Sequence, residues 1–262
     1  MRDPWFPISL ILIALLTVWL GIVGPLPDGF SKWLQGWQTL IAASVALIAA
    51  TIAYWNTNRS IEHSETLETR RRQQKQTALR VMLPLALSQV GAYAQQTAKA
   101  LQALVALCDH ETLPFNTVQT DFVKPLPSDI LKSLVEFIEY SDDMNVDVIA
   151  STVAMIQIHD SRLRGIFQDN HDQSRSRVIV RSDLERSIVD GAIIYAGGSS
   201  GFNYARRRQD SWPNELTWDE VIRALRNIGF FDDEHPRLHE DVERRATQSR
   251  GPFELLRTHR EH

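Results

Sequence analysis

The sequence predicts an all-α protein with an N-terminal transmembrane helical hairpin, a long juxtamembrane helix and a cytoplasmic helical bundle. Of the first 55 residues, 35 are apolar, and they form two long runs without charge. From residue 83 onward, apolar residues recur at spacings of three and four, which is the period of an α-helix. No region shows sustained alternation of apolar and polar residues, the pattern of a half-buried strand.

The first predicted span covers about residues 5–24. Ile8 to Val23 carry no charge, and at 1.5 Å per residue the span covers about 30 Å, the thickness of a bilayer's hydrocarbon core. The alternative interpretation is a cleaved signal peptide. Against it, Arg2 is the only basic residue at the start, and no small-residue cleavage site follows Val23. We therefore expect an uncleaved anchor.

The second predicted span covers about residues 37–55, again without charge. Five of the seven tryptophans lie in residues 1–55, and four of those mark the ends of the two apolar runs. Indole rings prefer the headgroup region, so this placement favours membrane spans over a buried core helix. The connecting loop contains Pro25, Pro27 and Gly29, which break helices. We expect residues 1–55 to form a transmembrane hairpin.

The distribution of basic residues predicts the orientation of this hairpin. The loop between the spans offers only Lys32, whereas residues 56–80 carry six basic residues. The positive-inside rule therefore places both termini in the cytoplasm and the loop outside. The second span also has Ala42, Ala46 and Ala50 at four-residue spacing, which suits either packing on the first span or a homo-oligomer. We favour packing within the hairpin.

Residues 56–82 are predicted to form a juxtamembrane stalk helix, because no proline or glycine occurs between Leu40 and Leu83. The stretch 56–80 is polar on almost every side, which is typical of a solvated helix stabilised by charge pairs. Basic residues at 70–75 could contact anionic lipid only if the helix bends, because an upright helix carries them about 20 Å beyond the membrane.

Residues 83–262 are predicted to form a cytoplasmic domain of about six helices. Ser128, Ser182-x-x-Glu185 and Thr217-x-x-Glu220 are typical helix starts, and Gly229 is a typical helix end. Segments 109–127 and 169–177 are predicted loops. The apolar positions that predict the helices are Leu83, Leu87, Val90, Ala94, Leu101, Leu104, Val105, Cys108, Ile130, Leu131, Leu134, Val135, Ile138, Val146, Ile149, Val153, Ile156, Leu163, Phe167, Leu184, Ile188, Ile193, Val221, Leu225 and Ile228.

Gly197-x-Ser199-x-Gly201 matches the nucleophile elbow of serine hydrolases, in which a strand precedes the serine and a helix follows it. Because the surrounding sequence predicts helix, we favour a glycine-weakened or kinked helix here. Whether the Gly197–Gly201 segment is helical or a functional loop stays open at this point.

Two other patterns suggest chemistry less strongly. His235 and His239 have the i, i+4 spacing of shared metal ligands, but Pro236 stands where a zincin needs glutamate, so a helix start is favoured. Cys108, the only cysteine, falls on an apolar helix face and is interpreted as a packing residue. No cofactor, metal or catalytic residue is assigned from the sequence.

Charge excludes one class of partner. Residues 56–262 contain 26 basic and 30 acidic residues, and a mildly acidic domain is a poor candidate for binding nucleic acid. The lone cysteine excludes an intrachain disulfide. The expected partners are membrane lipid and either a second copy of the chain or an unknown protein.

Several segments together resemble an uncharacterised family of two-span proteobacterial inner-membrane proteins with a helical cytoplasmic domain. They are Trp37–Ile41, Leu79–Ser88, Ile156–Leu163 and Trp218–Leu225. The resemblance implies a membrane location and a helical domain, and it implies no site residues. The Gly197–Gly201 run departs from the ordinary helix expected at that position in this family.

The sequence therefore favours a non-enzymatic membrane protein whose helical domain acts in protein–protein interaction, as a scaffold or a signalling component. The alternative is a membrane-bound serine hydrolase that uses Ser199.

Overall fold

A computed structural model describes residues 30–119, 122–141, 146–172, 178–249 and 251–254, together with Leu16 and Trp19. All regular structure in these ranges is helical, and the only β-type pairings there are two isolated bridges at Thr112. The all-α prediction is confirmed. The predicted first span falls outside the described residues, except that Leu16 and Trp19 are helical and exposed. Of the predicted loop Pro25–Ser31 only the end is described, and it is helical from Phe30 onward.

Seven helices follow one another along the described chain. They are α1 (Phe30–Ala106), α2 (Ser128–Tyr140), α3 (Asp147–His171), α4 (Arg181–Ser200), α5 (Phe202–Ala205), α6 (Trp218–Ile228) and α7 (Pro236–Gln248).

Helix α1 is 77 residues long and includes the predicted second span, the predicted stalk and the first helix of the predicted domain. It contains one stretch that is long and apolar enough to cross a membrane, and none of that stretch is buried within the protein. Pro84 lies inside the helix rather than in its first turn. Several hydroxyl side chains along α1, such as Thr57, donate to the backbone carbonyl four residues earlier and are thereby satisfied within the helix.

The chain divides into two compact units, residues 1–71 and residues 72–262. The division falls within the predicted stalk. In the first unit, most described side chains of α1 are exposed. The second unit contains a hydrophobic core to which all the other helices contribute.

Helix α4 is the central helix of the second unit. It is buried along most of its length and packs against α3, α6 and α7. Two glycines seven residues apart let it approach α1 closely: a Cβ added to Gly191 would lie 3.6 Å from the Ala94 carbonyl oxygen, and one added to Gly198 would lie 3.2 Å from Val90 Cγ1. A helix that is apolar on every side needs this kind of enclosure.

The predicted helix starts were partly right. Thr217 caps α6 and forms a capping box with Glu220, and Gly229 ends α6 in the left-handed conformation at φ 103°. The predicted box at Ser182 was wrong, because α4 already begins at Arg181. Val180, two residues before Ser182, occupies the N-cap, and no side chain caps the helix. Arg181 instead pairs with Glu185 at 2.9 Å. Helix α2 begins at Ser128, with Pro127 in the cap position.

The predicted loop 169–177 was wrong at its start, because α3 continues to His171. Asn170 is 2% exposed and anchors the long loop after α1. Its Oδ1 accepts hydrogen bonds from the backbone amides of Thr117 and Val118 at 2.8 and 2.9 Å, and its Nδ2 donates to the Pro114 carbonyl. Asn170, predicted to lie in a surface loop, is therefore a buried residue that holds the loop in place. It is needed there because buried backbone amides require hydrogen-bond acceptors.

Candidate functional site

The second unit exposes an apolar surface on α1, which we call the outer face: Ala78, Val81, Met82 and Leu85. The side chains of Val81, Met82 and Leu85 are 65%, 56% and 54% exposed. Val81 and Met82 are consecutive, and Leu85 lies about one turn further on. All three are on the side of α1 that points away from the core, since Leu83, Ala86 and Leu87 are buried. These three large residues are the most concentrated exposed apolar group that the second unit shows in its described part.

The outer face is unusual for a surface helix. A helix at the edge of a soluble domain normally carries polar residues opposite its buried stripe, whereas here both sides are apolar over about two turns. Isolated exposed apolar residues need no explanation, but a contiguous group marks an interaction site.

Two basic residues of α1, Lys75 and Arg80, lie close to the outer face in the sequence and contact other parts of the second unit. Lys75 Nζ pairs with Glu136 at 2.7 Å and lies over the Tyr140 ring. The pKa of Lys75 is raised by its hydrogen bonds to Glu136 and Tyr140. Arg80 donates to the carbonyl oxygens of Tyr204 and Gln209. These contacts fix α1 against α2 and the segment after α5, so the outer face is presented by a rigid helix.

Ser199 lies inside α4, in the last turn before Gly201, and the segment up to Ser200 is helical. The glycines around it serve packing. A Cβ on Gly197 would lie 2.3 Å from Thr152 Oγ1, and a Cβ on Gly201 would lie 2.1 Å from Trp212 Cζ2. The glycines of this motif are therefore explained by close approach of other side chains, without a nucleophile elbow, which requires a strand before the serine.

A shallow cleft of about 220 Å³ lies beside Ser199, between α4 and α6. The residues that line it are Tyr195, Ala196, Ser199, Ser200, Glu220, Arg223, Ala224 and Asn227. The lining contains a carboxylate and a guanidinium but no histidine, which a serine nucleophile ordinarily uses as its base. Glu220 is already engaged in the α6 capping box.

His235 and His239 are held apart by different partners. His235 Nε2 lies 3.3 Å from Gln102 Nε2, and its ring packs on Phe230 with centroids 5.0 Å apart. His239 is nearly buried, and its Nε2 lies 3.1 Å from the Phe230 carbonyl oxygen. In the part of the chain that the structure describes, no group of three or more histidine, cysteine, aspartate or glutamate side chains could hold a metal ion.

Cys108 lies just after the end of α1, and its Sγ is 3.5 Å from the Leu104 carbonyl oxygen. It packs against the core as a partly buried residue. Burial raises the pKa of its thiol. A thiol with a raised pKa is a weak nucleophile at neutral pH, so the packing interpretation of Cys108 fits its surroundings.

A buried ion-pair network joins three helices. Asp190 of α4, with a side chain 2% exposed, binds Arg162 of α3 and Arg245 of α7, the latter at 3.0 Å. Arg245 also contacts Asp241 at 2.9 Å. One feature of the sequence indicates this network. Asp190 interrupts an otherwise apolar run of α4, and a buried carboxylate requires a charged partner.

His159 of α3 lies close to this network and is 0% exposed. Burial lowers its pKa to about 4, an effect that Asp190 partly opposes. Neither ring nitrogen has a hydrogen-bond partner among the described protein atoms, and the ring meets Tyr93 of α1 edge-on at 6.2 Å. His159 is therefore neutral at physiological pH and acts as a core residue between α1 and α3.

No family model, curated protein or solved structure matches this chain. The resemblance to two-span proteobacterial membrane proteins therefore stays a prediction. What the chain does must be argued from its own surfaces, of which the outer face of α1 is the strongest candidate for binding another molecule.

Proposed function

We propose that the chain is a membrane-anchored protein whose helical domain binds another protein at the bacterial inner membrane. The observation that carries the proposal is α1 itself. Its apolar, unburied stretch is suited to a bilayer, and its later part supplies core residues of the folded second unit. A helix of this kind can link a folded domain to a membrane.

The topology that we propose is a two-span hairpin with both termini in the cytoplasm. It rests on the two uncharged runs at about 5–24 and 37–55 and on the basic residues after the second run. The single candidate span within the described residues supports the second run only.

The proposed interaction surface is the outer face, because large apolar side chains there are left in water by the chain's own fold. Its anchors Ala78, Val81 and Leu85 follow the i, i+3, i+7 spacing by which a helix is bound in an apolar groove or against another helix. The partner chemistry is accordingly that of a protein with an apolar, helix-binding surface. A second copy of this chain is one such partner.

Site-specific photo-crosslinking in intact membranes tests this surface. A photoreactive amino acid at Val81 or Leu85 is expected to give a covalent adduct with a protein. Val178 is the matched control, because it is an exposed valine, at 61%, beside Ile179, which accepts a hydrogen bond from Leu113 in the loop after the far end of α1. An adduct at twice the chain mass indicates a second copy, and any other mass identifies a different protein. The proposal fails if Val81 and Leu85 give no more adduct than Val178.

A serine-reactive fluorophosphonate probe separates this proposal from the serine-hydrolase alternative. We expect no labelling of Ser199, because it lies within a helix and its cleft offers no histidine. Labelling of the native chain that disappears in Ser199→Ala would replace the interaction proposal with the hydrolase.

A further inference from the structure

The second unit carries a group of arginines to which no described carboxylate supplies a countercharge. Arg206, Arg207 and Arg208, which we call the arginine loop, follow α5 directly and are all exposed. No carboxylate among the described residues pairs with any of the three, and Asp210 is the only acidic residue close to them in sequence. Three adjacent like charges repel one another, so the fold must hold them in place by other means.

Backbone hydrogen bonds hold the loop in one conformation. The amide of Arg207 donates to the Tyr204 carbonyl at 3.0 Å, and the amide of Arg208 donates to the Asn203 carbonyl at 2.8 Å. Arg207 has φ 58°, in the left-handed region. A non-glycine residue is strained there, and glycine would avoid that strain. An arginine at this position adds a charged side chain where the backbone alone would favour glycine.

A fourth arginine locks the loop to α1. Arg80 donates from Nε and Nη2 to the Tyr204 carbonyl at 3.0 and 2.7 Å, and from Nη2 to the Gln209 carbonyl at 2.8 Å. Its guanidinium also lies 3.9 Å from the centre of the Tyr204 ring. Carbonyl oxygens accept hydrogen bonds from its Nε and Nη2 without neutralising its charge. The loop is therefore rigid and the positive charge of Arg80 adds to its own.

We infer that the arginine loop binds phosphate groups. A planar guanidinium matches two phosphate oxygens at once, and several of them on a rigid loop suit a phosphate ester better than a flexible lysine cluster would. Two sources share this chemistry: the headgroup of an anionic lipid and a soluble phosphate compound. The lipid source rests on the proposed membrane anchoring and on a bend in α1, because an upright helix would carry Arg80 about 37 Å beyond residue 55. The soluble source needs neither.

The test uses the full chain in nanodiscs, with Cys108→Ser and a dye on Gln209→Cys beside the loop. One arm titrates inorganic phosphate into nanodiscs of zwitterionic phosphatidylcholine. The other replaces part of that lipid with anionic phosphatidylglycerol and adds no phosphate. Sodium chloride at matched ionic strength controls for screening. A phosphate response indicates the soluble source, and a response to the anionic lipid indicates the lipid source.

The deciding variant is Arg206→Gln/Arg207→Gln/Arg208→Gln. It is expected to weaken the response at least about tenfold, because hydrogen bonds to charged groups are each worth about 1.5–3 kcal/mol. The matched control replaces Arg164, Arg226 and Arg237 by glutamine, which removes the same charge from arginines that already pair with carboxylates.

The inference is overturned if neither arm responds, if sodium chloride reproduces the response, or if the two triple variants behave alike. Alkaline carbonate extraction of each variant reports anchoring separately. A chain released by carbonate that still responds to phosphate would refute the anchor and leave the arginine loop as a phosphate site.

Discussion

Two segments of α1 have the same backbone conformation and opposite surroundings. Residues 56–71 are almost entirely exposed, with Ile61 and Leu67 at 50% and 40%. Residues 83–105 bury one side, including Leu87, Val90 and Ala94. Short polar helices are only marginally stable in water, whereas packing stabilises an amphipathic one. The comparison teaches that one continuous helix draws on local interactions in its first segment and on tertiary packing in its second.

Truncating a buried leucine should show the largest difference between the two segments. Leu87→Ala removes a side chain that is 2% exposed and should lower the free energy of unfolding by about 2–5 kcal/mol. Leu67→Ala, in the exposed segment, should change it by less than about 0.5 kcal/mol. Denaturant titration in detergent, followed by the fluorescence of buried Trp212, measures both. Equal losses would show that the exposed segment is packed too.

Acid should destabilise the packed segment through His159, which meets Tyr93 of α1. Because burial lowers the folded-state pKa of His159 from 6.5 to about 4, the unfolded state binds the proton more readily. Stability is therefore full above about pH 6.5 and falls as the pH drops toward 4, by up to about 3 kcal/mol. Asp190, Arg162 and Asp160 are the charged groups that also act on this ring.

Unfolding measured from pH 7 to pH 4 should give this slope in the native chain and a smaller one in His159→Phe. His63→Phe, in the exposed segment of α1, is the control and should leave the slope unchanged. A His159→Phe variant with the native pH dependence would assign the acid sensitivity to other groups.

Enlarging a glycine at the contact between α4 and α1 should have a moderate effect. Gly198→Leu overpacks the side chain of Val90, which a Cβ alone would approach to 3.2 Å, and should cost about 1–3 kcal/mol. Gly36→Ala is the control in the other part of α1, because nothing lies within 4 Å of its added Cβ. Chemical denaturation of the full chain compares them, and a neutral Gly198→Leu would mean that the two helices can separate without loss.

The smallest effect is expected from breaking the exposed segment itself. Inserting Gly-Gly-Pro after Ser64 opposes helix there, since proline costs about 3 kcal/mol and each glycine about 1 kcal/mol in a helix interior. The segment has little packing to lose, so hydrogen exchange of residues 83–105 should stay at native protection. Faster exchange in that range would show that the packed segment depends on the exposed one.

Features that depend on one helix alone could be predicted from the sequence. Features that depend on contacts with neighbouring helices could not. Periodic apolar residues such as Leu83, Leu87 and Val90 predicted the buried side of α1, and Thr217 with Glu220 predicted a capping box that forms. Ser182 with Glu185 has the same spacing, but α4 starts earlier and Glu185 pairs with Arg181. A capping sequence specifies a bond only if the chain enters the helix at that residue.

The candidate surfaces depend on tertiary structure and could therefore not be predicted from the sequence. Val81, Met82 and Leu85 read as further apolar residues of α1 until the position of the core shows which side they occupy. The arginine loop is visible in the sequence as three adjacent arginines, but its rigidity comes from Arg80, more than 120 positions away. Likewise, the spacing of the glycines around Ser199 matches an enzyme motif, but the structure shows that Thr152 and Trp212 fill the space beside them.

Paired reporter fusions test the proposed anchoring most directly. Alkaline phosphatase, active only outside the cytoplasm, and green fluorescent protein, fluorescent only inside, are each fused after Asp28 and after His262. The hairpin predicts active phosphatase at Asp28 and fluorescence at His262, with α1 crossing the membrane between them. Active phosphatase at His262 would place the helical domain outside the cytoplasm. Fluorescence at both positions would show that α1 does not cross the bilayer, and either result would contradict the proposed function.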